Sequence, residues 1–227
     1  WRTDQPSRTA NRDDKIDWGF APDADMPTYR AFTDDMQPLV RAVFYDDTNQ
    51  YSVWTRTWKN VFNIWAAPTG ADGEGCTRTF AAPASTVRAA FDGTAILHRN
   101  AFRDCASITL GGGAGTTQTN LGDAAWVMVH EAGHYLFGLG DEYVGGGNWS
   151  ISVPKNVFST QSDCESNSVS NSLPSSQCVQ IGSSGTWRND DGQATTMEDR
   201  QLGSDWRTLS GRAMGNLLSS CVNGTCY

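Results

Sequence analysis

Residues 130–143, HEAGHYLFGLGDEY, carry the residue types whose spacing suggests chemistry. His130 and His134 stand four positions apart, with Glu131 beside the first. On a helix turning about 100° per residue, the two imidazoles lie about 40° apart and one turn up, so both can reach one ion. Glu131 then sits about 60° from His134 around the axis, close enough to hold a water on that ion without ligating it. Zn2+ suits the arrangement. It lowers the pKa of its water towards about 7, and the carboxylate takes the proton as that water attacks a polarised carbonyl.

A catalytic zinc takes three protein ligands, so HEAGH is one short. The commonest third ligand is a histidine six positions after the second, and here that position is Gly140. Asp141 is one position further on. The extra residue lengthens a helix by about 1.5 Å and shifts it by about 100°, and a carboxylate at the end of that turn still reaches the ion. Asp141 is therefore the first candidate and Glu142 its competitor. His98, the one other histidine, ranks third, because beside Arg99 and Asn100 a hydrogen-bonded role accounts for it.

The motif needs a helix, expected from about Asp123 to Phe137, with Asp123 as N-cap, Gly138 as stop signal, and Trp126 and Val127 facing the core. Upstream, KIDWGFAPDADM reads as a short strand running into a loop. TYRAFTDDMQPLVRAVF (28–44) reads as a helix with Phe32, Met36, Leu39, Val40 and Val43 on one side and a break or kink at Pro38. QYSVWTRTWKNVFNIWAAP is rich in β-branched and aromatic residues and should hold a strand ending at Ala67. GADGEG reads as a loop. STVRAAFDGTAILHRNAF reads as helical with an interruption near Gly93, CASITL as a strand, and GGGAG as a flexible turn or a backbone that allows close approach. The resulting class is α/β. Residues 159–186, crowded with Ser, Asn, Gly and Gln, read as a surface excursion pinned at Cys164 and Cys178. DWRTLSGRAMGNLLSS reads as a closing helix, with Trp206, Leu209, Met214, Leu217 and Leu218 on its apolar side. No internal repeat is visible. The organisation expected is one catalytic domain over 1–227, with lobes at about 14–138 and 139–227, a mixed twisted sheet and the motif helix at the lobe boundary.

Composition narrows the partners. The 227 residues suffice for a sizeable core, and nine Trp with nine Phe favour order. No apolar run approaches the roughly 20 residues a membrane span needs. A net charge of −8 repels phosphate backbones, which argues against nucleic acid. The cysteines are Cys76, Cys105, Cys164, Cys178, Cys221 and Cys226, with no CxxC pair. They read as three disulfides of an oxidising compartment, with nearest-neighbour pairing (76–105, 164–178, 221–226) closing the shortest loops. A start at Trp1 without leader features suggests a removed signal peptide or a piece of a longer protein, so a secreted location is expected. Asn148-Trp149-Ser150 and Asn223-Gly224-Thr225 are glycosylation sequons. Asp72, Glu74, Asp190 and Asp191 could offer oxygens to Ca2+, or be solvated loop acids.

HEAGHYLFGLGDEY fits HExGHxxxGLxDEY, and so resembles the bacterial IgA-peptidase family of zinc metallopeptidases. KIDWGF, NVFNIWA and SITLGGGAG are similar to that family's strand order, and the likeness covers roughly residues 14–145. The motif is also similar to that of the self-cleaving calcium-activated chloride channel regulators. The resemblance implies a metzincin-like fold, His130, His134 and Asp141 as metal ligands, and Glu131 as general base. It also implies a methionine turn beneath the metal, for which Met197 in ATTMEDR is the first candidate and Met214 the rival. No tyrosine follows closely on Met197 to stabilise an oxyanion. Tyr143 could orient the ligand loop or simply pack. The backbone at Gly111, Gly112 and Gly113 could pair with an extended substrate. The leading expectation is thus a secreted zinc endopeptidase acting on a protein or peptide. The rivals are a zinc-stabilised binding module, which would close its site with Glu142 as a fourth ligand, and a self-processing domain of a larger protein.

Overall fold

IDWGFAP is apolar along most of its length, the pattern of a strand covered on both faces. In the computed structural model it forms β1 (Ile16–Pro22), with Ile16, Trp18, Phe20 and Ala21 fully buried. The structure describes residues 15–45, 61–67, 91–100, 105–107, 112–116, 121–144, 155–183, 185–192, 195 and 197. The chain divides into two compact units; among the described residues the first ends at Leu136 and the second begins at Phe137.

The first unit holds a sheet in the order β2-β1-β3-β5-β4, with β2 at Phe62–Ala66, β3 at Gly93–His98, β4 at Cys105–Ser107 and β5 at Gly112–Thr116. Pairings are parallel except β4 with β5. The class is mixed α/β, as the order of elements suggested. Helix α1 (Tyr29–Phe44) starts at Thr28, whose hydroxyl accepts from Ala31 N at 3.0 Å. The five residues expected on its inner side are all buried. The expected break at Pro38 does not occur, and α1 runs through it. Pro38 and Asp34, whose carbonyl loses its usual donor, both lie on the exposed face, where the missing bond costs least. Buried side chains on both sides of Pro38 hold the helix in place.

Two further expectations change. Residues 93–98 are a strand, not a helix: β3 is buried at every position and lies between β1 and β5. A short apolar run covered on both faces has no periodicity to separate strand from helix. Gly93 begins the strand because a Cβ there would stand 2.5 Å from Leu136 Cδ2 and 2.9 Å from the Tyr135 ring. GGGAG is likewise not a turn. From Gly112 onward it is β5, an interior strand with ladder partners on both sides. The readings of GADGEG, of residues 85–90 and of the closing helix lie outside the described residues.

The second unit carries an antiparallel sheet, β6-β8-β7, with β6 at Val157–Phe158, β7 at Cys178–Gln180 and β8 at Trp187–Asn189. Residues 159–186 are more ordered than a surface excursion. They include helix α3 (Gln161–Ser170), capped by Thr160 Oγ1 accepting from Asp163 N at 3.1 Å, and a 3-10 turn at Ser175–Gln177. Cys164 and Cys178 form a disulfide and pack with Phe158, Leu173 and Trp187 in a small core. Cys105 is also disulfide-bonded. The proposed pairings 76–105 and 221–226 involve residues outside the described set. Among the described residues, no helix is long and apolar enough to cross a membrane.

Candidate metal centre

Helix α2 (Leu121–Tyr135) presents the motif. It begins two residues before Asp123, which therefore lies inside the first turn and is not the cap. The helix packs on α1, β4 and β5, burying Ala124, Ala125, Met128, Val129 and Ala132. With glycine at 112, 113 and 115 and alanine at 114, β5 carries almost no side-chain volume, which suits close contact with a helix. Trp126 and Val127, expected in the core, are only half-buried. The Trp126 indole instead stacks on the His130 ring one turn on, with centroids 4.8 Å apart and planes at 29°.

His130 and His134 are 4% and 1% exposed, and their rings meet edge to face at 4.9 Å. The helix end is tied to the sheet through the next residue: Trp18 Nε1 donates to the Tyr135 hydroxyl at 2.8 Å. Burial pushes the Tyr135 pKa well up from its ordinary value, opposed by the Trp18 bond and reinforced by the charge of Glu131. Glu131 is half-buried.

After Tyr135 the chain turns and reaches Gly138 at φ +67°, a left-handed conformation that favours glycine. The stop signal is thus real, although the regular helix ends two residues before Phe137. The turned chain then brings in Asp141, which is 7% exposed. One ligand atom from each of His130, His134 and Asp141 lies within 4.8 Å of the others, a group able to hold a metal ion.

Glu142, the competitor, is committed elsewhere. Its Oε1 accepts from Asn156 Nδ2 at 2.7 Å, and its Oε2 accepts from the Thr195 hydroxyl. Its backbone N donates to Met197 O at 2.9 Å, and its carbonyl accepts from Arg188 Nη1 at 2.8 Å. Met197 is fully buried and its N donates to Thr195 Oγ1 at 3.2 Å, so the residue expected at a methionine turn is linked by its backbone to the neighbour of Asp141. Tyr143 is half-buried. His98 is fully buried in β3 with Nδ1 2.9 Å from Asn100 O, the hydrogen-bonded role, and it is not in the metal group.

Gly112 and Gly113 sit inside β5, paired with Thr94 and Ala95 on one side and Ser107 and Ala106 on the other. Their ladder positions are filled, so the pairing expected there with an extended substrate is not open to them; Gly111 lies outside the described residues. Asp190 accepts from Arg188 Nη2 and Gly192 N, both at 2.7 Å, which accounts for its carboxylate without calcium. Asp191 joins no group of three metal-binding side chains among the described residues, and Asp72 and Glu74 lie outside that set. Asn156, Arg188 and Thr195 escaped sequence reasoning. The one available hint was Glu142 itself, since a buried carboxylate requires donors from somewhere.

No model of a known protein family matches the chain, and no curated protein matches it in sequence.

Proposed function

We propose that the protein is a secreted zinc-dependent endopeptidase. The observation that carries this is the ligand set: two imidazoles and one carboxylate converge, while Glu142, the candidate fourth ligand, is held by Asn156 and Thr195. Two histidines and an acid fit zinc, and three protein ligands leave a coordination position open, as catalytic rather than structural sites do. The resemblance of residues 130–143 to the IgA-peptidase pattern, with its metzincin-like fold and its methionine turn at Met197, points the same way. The Cys164–Cys178 disulfide is compatible with an extracellular location.

Bound there, zinc would supply a Lewis acid and a water of lowered pKa. His130 and His134 would hold it from one face of α2, with Trp126 keeping the His130 ring flat against its own. Asp141 would complete the set and offset part of the ion's charge. Glu131 would take the proton from the attacking water onto its carboxylate and return it to the departing amine nitrogen.

Casein cleavage by the wild type and by Glu131→Ala, with zinc content measured on both, tests this. Activity that falls at least about 100-fold in the variant at unchanged zinc content is expected. Full zinc content with no cleavage by the wild type, on casein or on a panel of native secreted proteins, would refute the endopeptidase and leave the binding module.

A further inference from the structure

Asp141 stands between two residues whose backbone polar groups are all held. Gly140 N donates to Asn156 Oδ1 at 2.8 Å, and Gly140 O accepts from Asn156 Nδ2 at 2.9 Å. On the other side, Glu142 N donates to Met197 O and Glu142 O accepts from Arg188, itself braced by Asp190 at 2.7 Å. Asn156 is fully buried and also donates to Glu142 Oε1 at 2.7 Å. Its two amide hydrogens and its oxygen thus all serve residues 140 and 142. A side chain does here what a neighbouring strand does in a sheet: it satisfies both the N–H and the C=O of one buried residue. It has no contact with the candidate ion, and its whole hydrogen-bonding capacity goes to the peptides flanking one ligand.

We infer that Asn156 is the positioning residue for the third metal ligand, fixing Asp141 by clamping Gly140 and anchoring the Glu142 carboxylate. The inference rests on the metal centre proposed above, though not on peptidase activity. A ligand loop without the clamp has to be ordered by the metal at the moment of binding, and that ordering entropy is subtracted from affinity. Glu142 is the second half of the device: its carboxylate is held by hydrogen bonds from Asn156 and Thr195 while its backbone holds the loop.

The test is the zinc dissociation constant, measured by competition with a chromophoric chelator, alongside the melting temperature of the metal-free protein. Asn156→Ala should weaken zinc binding about 10–100-fold, the usual cost of losing a group that orients a ligand. Thr195→Val, a milder change that removes one donor to Glu142, should weaken it about threefold to tenfold and keeps the test alive if Asn156→Ala does not fold. The control is Asn189→Ala. Asn189 is 1% exposed and its amide donates to Ser168 Oγ at 3.0 Å and Pro174 O at 3.3 Å, not to residues 140–142. Its loss should lower the melting temperature of the metal-free protein with zinc affinity unchanged. Unchanged affinity in Asn156→Ala, or in Thr195→Val where the former is unfolded, would overturn the inference and leave the metal centre standing. So would a loss of affinity in Asn189→Ala as large as in Asn156→Ala. A wild type that binds no zinc would overturn both.

Discussion

Replacing Tyr135 by Phe removes one oxygen atom and tests how the motif helix is fastened to the sheet. Trp18 is fully buried, and its Nε1 donates to the Tyr135 hydroxyl at 2.8 Å. Without the acceptor, the N–H of a fully buried indole loses its partner, which costs about 1–3 kcal/mol. The ring of residue 135 stays, along with its edge contact to Trp18 at 6.4 Å, so loss of apolar burial adds little. Full burial of Trp18 places the expected cost in the upper half of that range, about 2 kcal/mol. In a protein of this size each kcal/mol moves the melting temperature by about 2–4 °C, so a fall of about 4–8 °C is expected. The assay is urea and thermal unfolding with chelator present, so that no metal contributes. A Trp18→Phe/Tyr135→Phe double-mutant cycle supplies the coupling, expected at about 1 kcal/mol or more. A loss below about 0.5 kcal/mol for Tyr135→Phe, or a coupling near zero, would refute the claim that this bond ties α2 to β1.

Asp141→Asn should abolish tight zinc binding, a loss of about 100-fold or more, whereas Glu142→Gln, which keeps an acceptor for Asn156, should cost about tenfold or less; isothermal titration with zinc separates them, and the reverse order would make Glu142 the ligand. Chelator treatment should lower the melting temperature by about 5–11 °C if zinc had been present at about 100 times its dissociation constant, and added zinc should restore it. Replacing Cys164 and Cys178 together by Ala should destabilise the second unit by about 3 kcal/mol, because the bridge spans a sequence separation of 14. Faster proteolysis between β6 and β8 is the expected sign, with Glu131 chemistry on casein retained below the melting point.

The group able to hold a metal ion was legible because its information is local. His130, Glu131 and His134 are related by helix geometry alone, and Asp141 by one turn beyond a glycine that takes φ +67°. The amphipathic pattern of α1 was equally plain, since all five predicted residues are buried. Strand β3 was misread because burial on both faces erases the alternation that marks a strand. Residues 112–116 were misread because three glycines with an alanine and a threonine lack the side chains by which strands are known. Their pairing partners, from Thr94 opposite Gly112 to His98 opposite Thr116 in β3, and Cys105 opposite Ala114 in β4, are tertiary facts. The same holds for Asn156 and Thr195, whose roles depend on meeting Glu142 from 14 and 53 residues away. Helix α3 was missed for a different reason: it buries only Cys164 and Ser168, and a cap and a disulfide define it where apolar periodicity does not.

The order of the residues along the chain gives the clamp a temporal meaning. During synthesis His130, His134 and Asp141 leave the ribosome first, and Asn156, Arg188, Thr195 and Met197 follow. A partly made chain therefore carries every ligand while the loop bearing Asp141 is still slack. Firm capture of the ion has to wait for the residues that brace Gly140 and Glu142. Truncated or misassembled chains would then hold metal loosely and surrender it to competing chelators, so the proposed centre would be complete only in molecules whose second unit has been made.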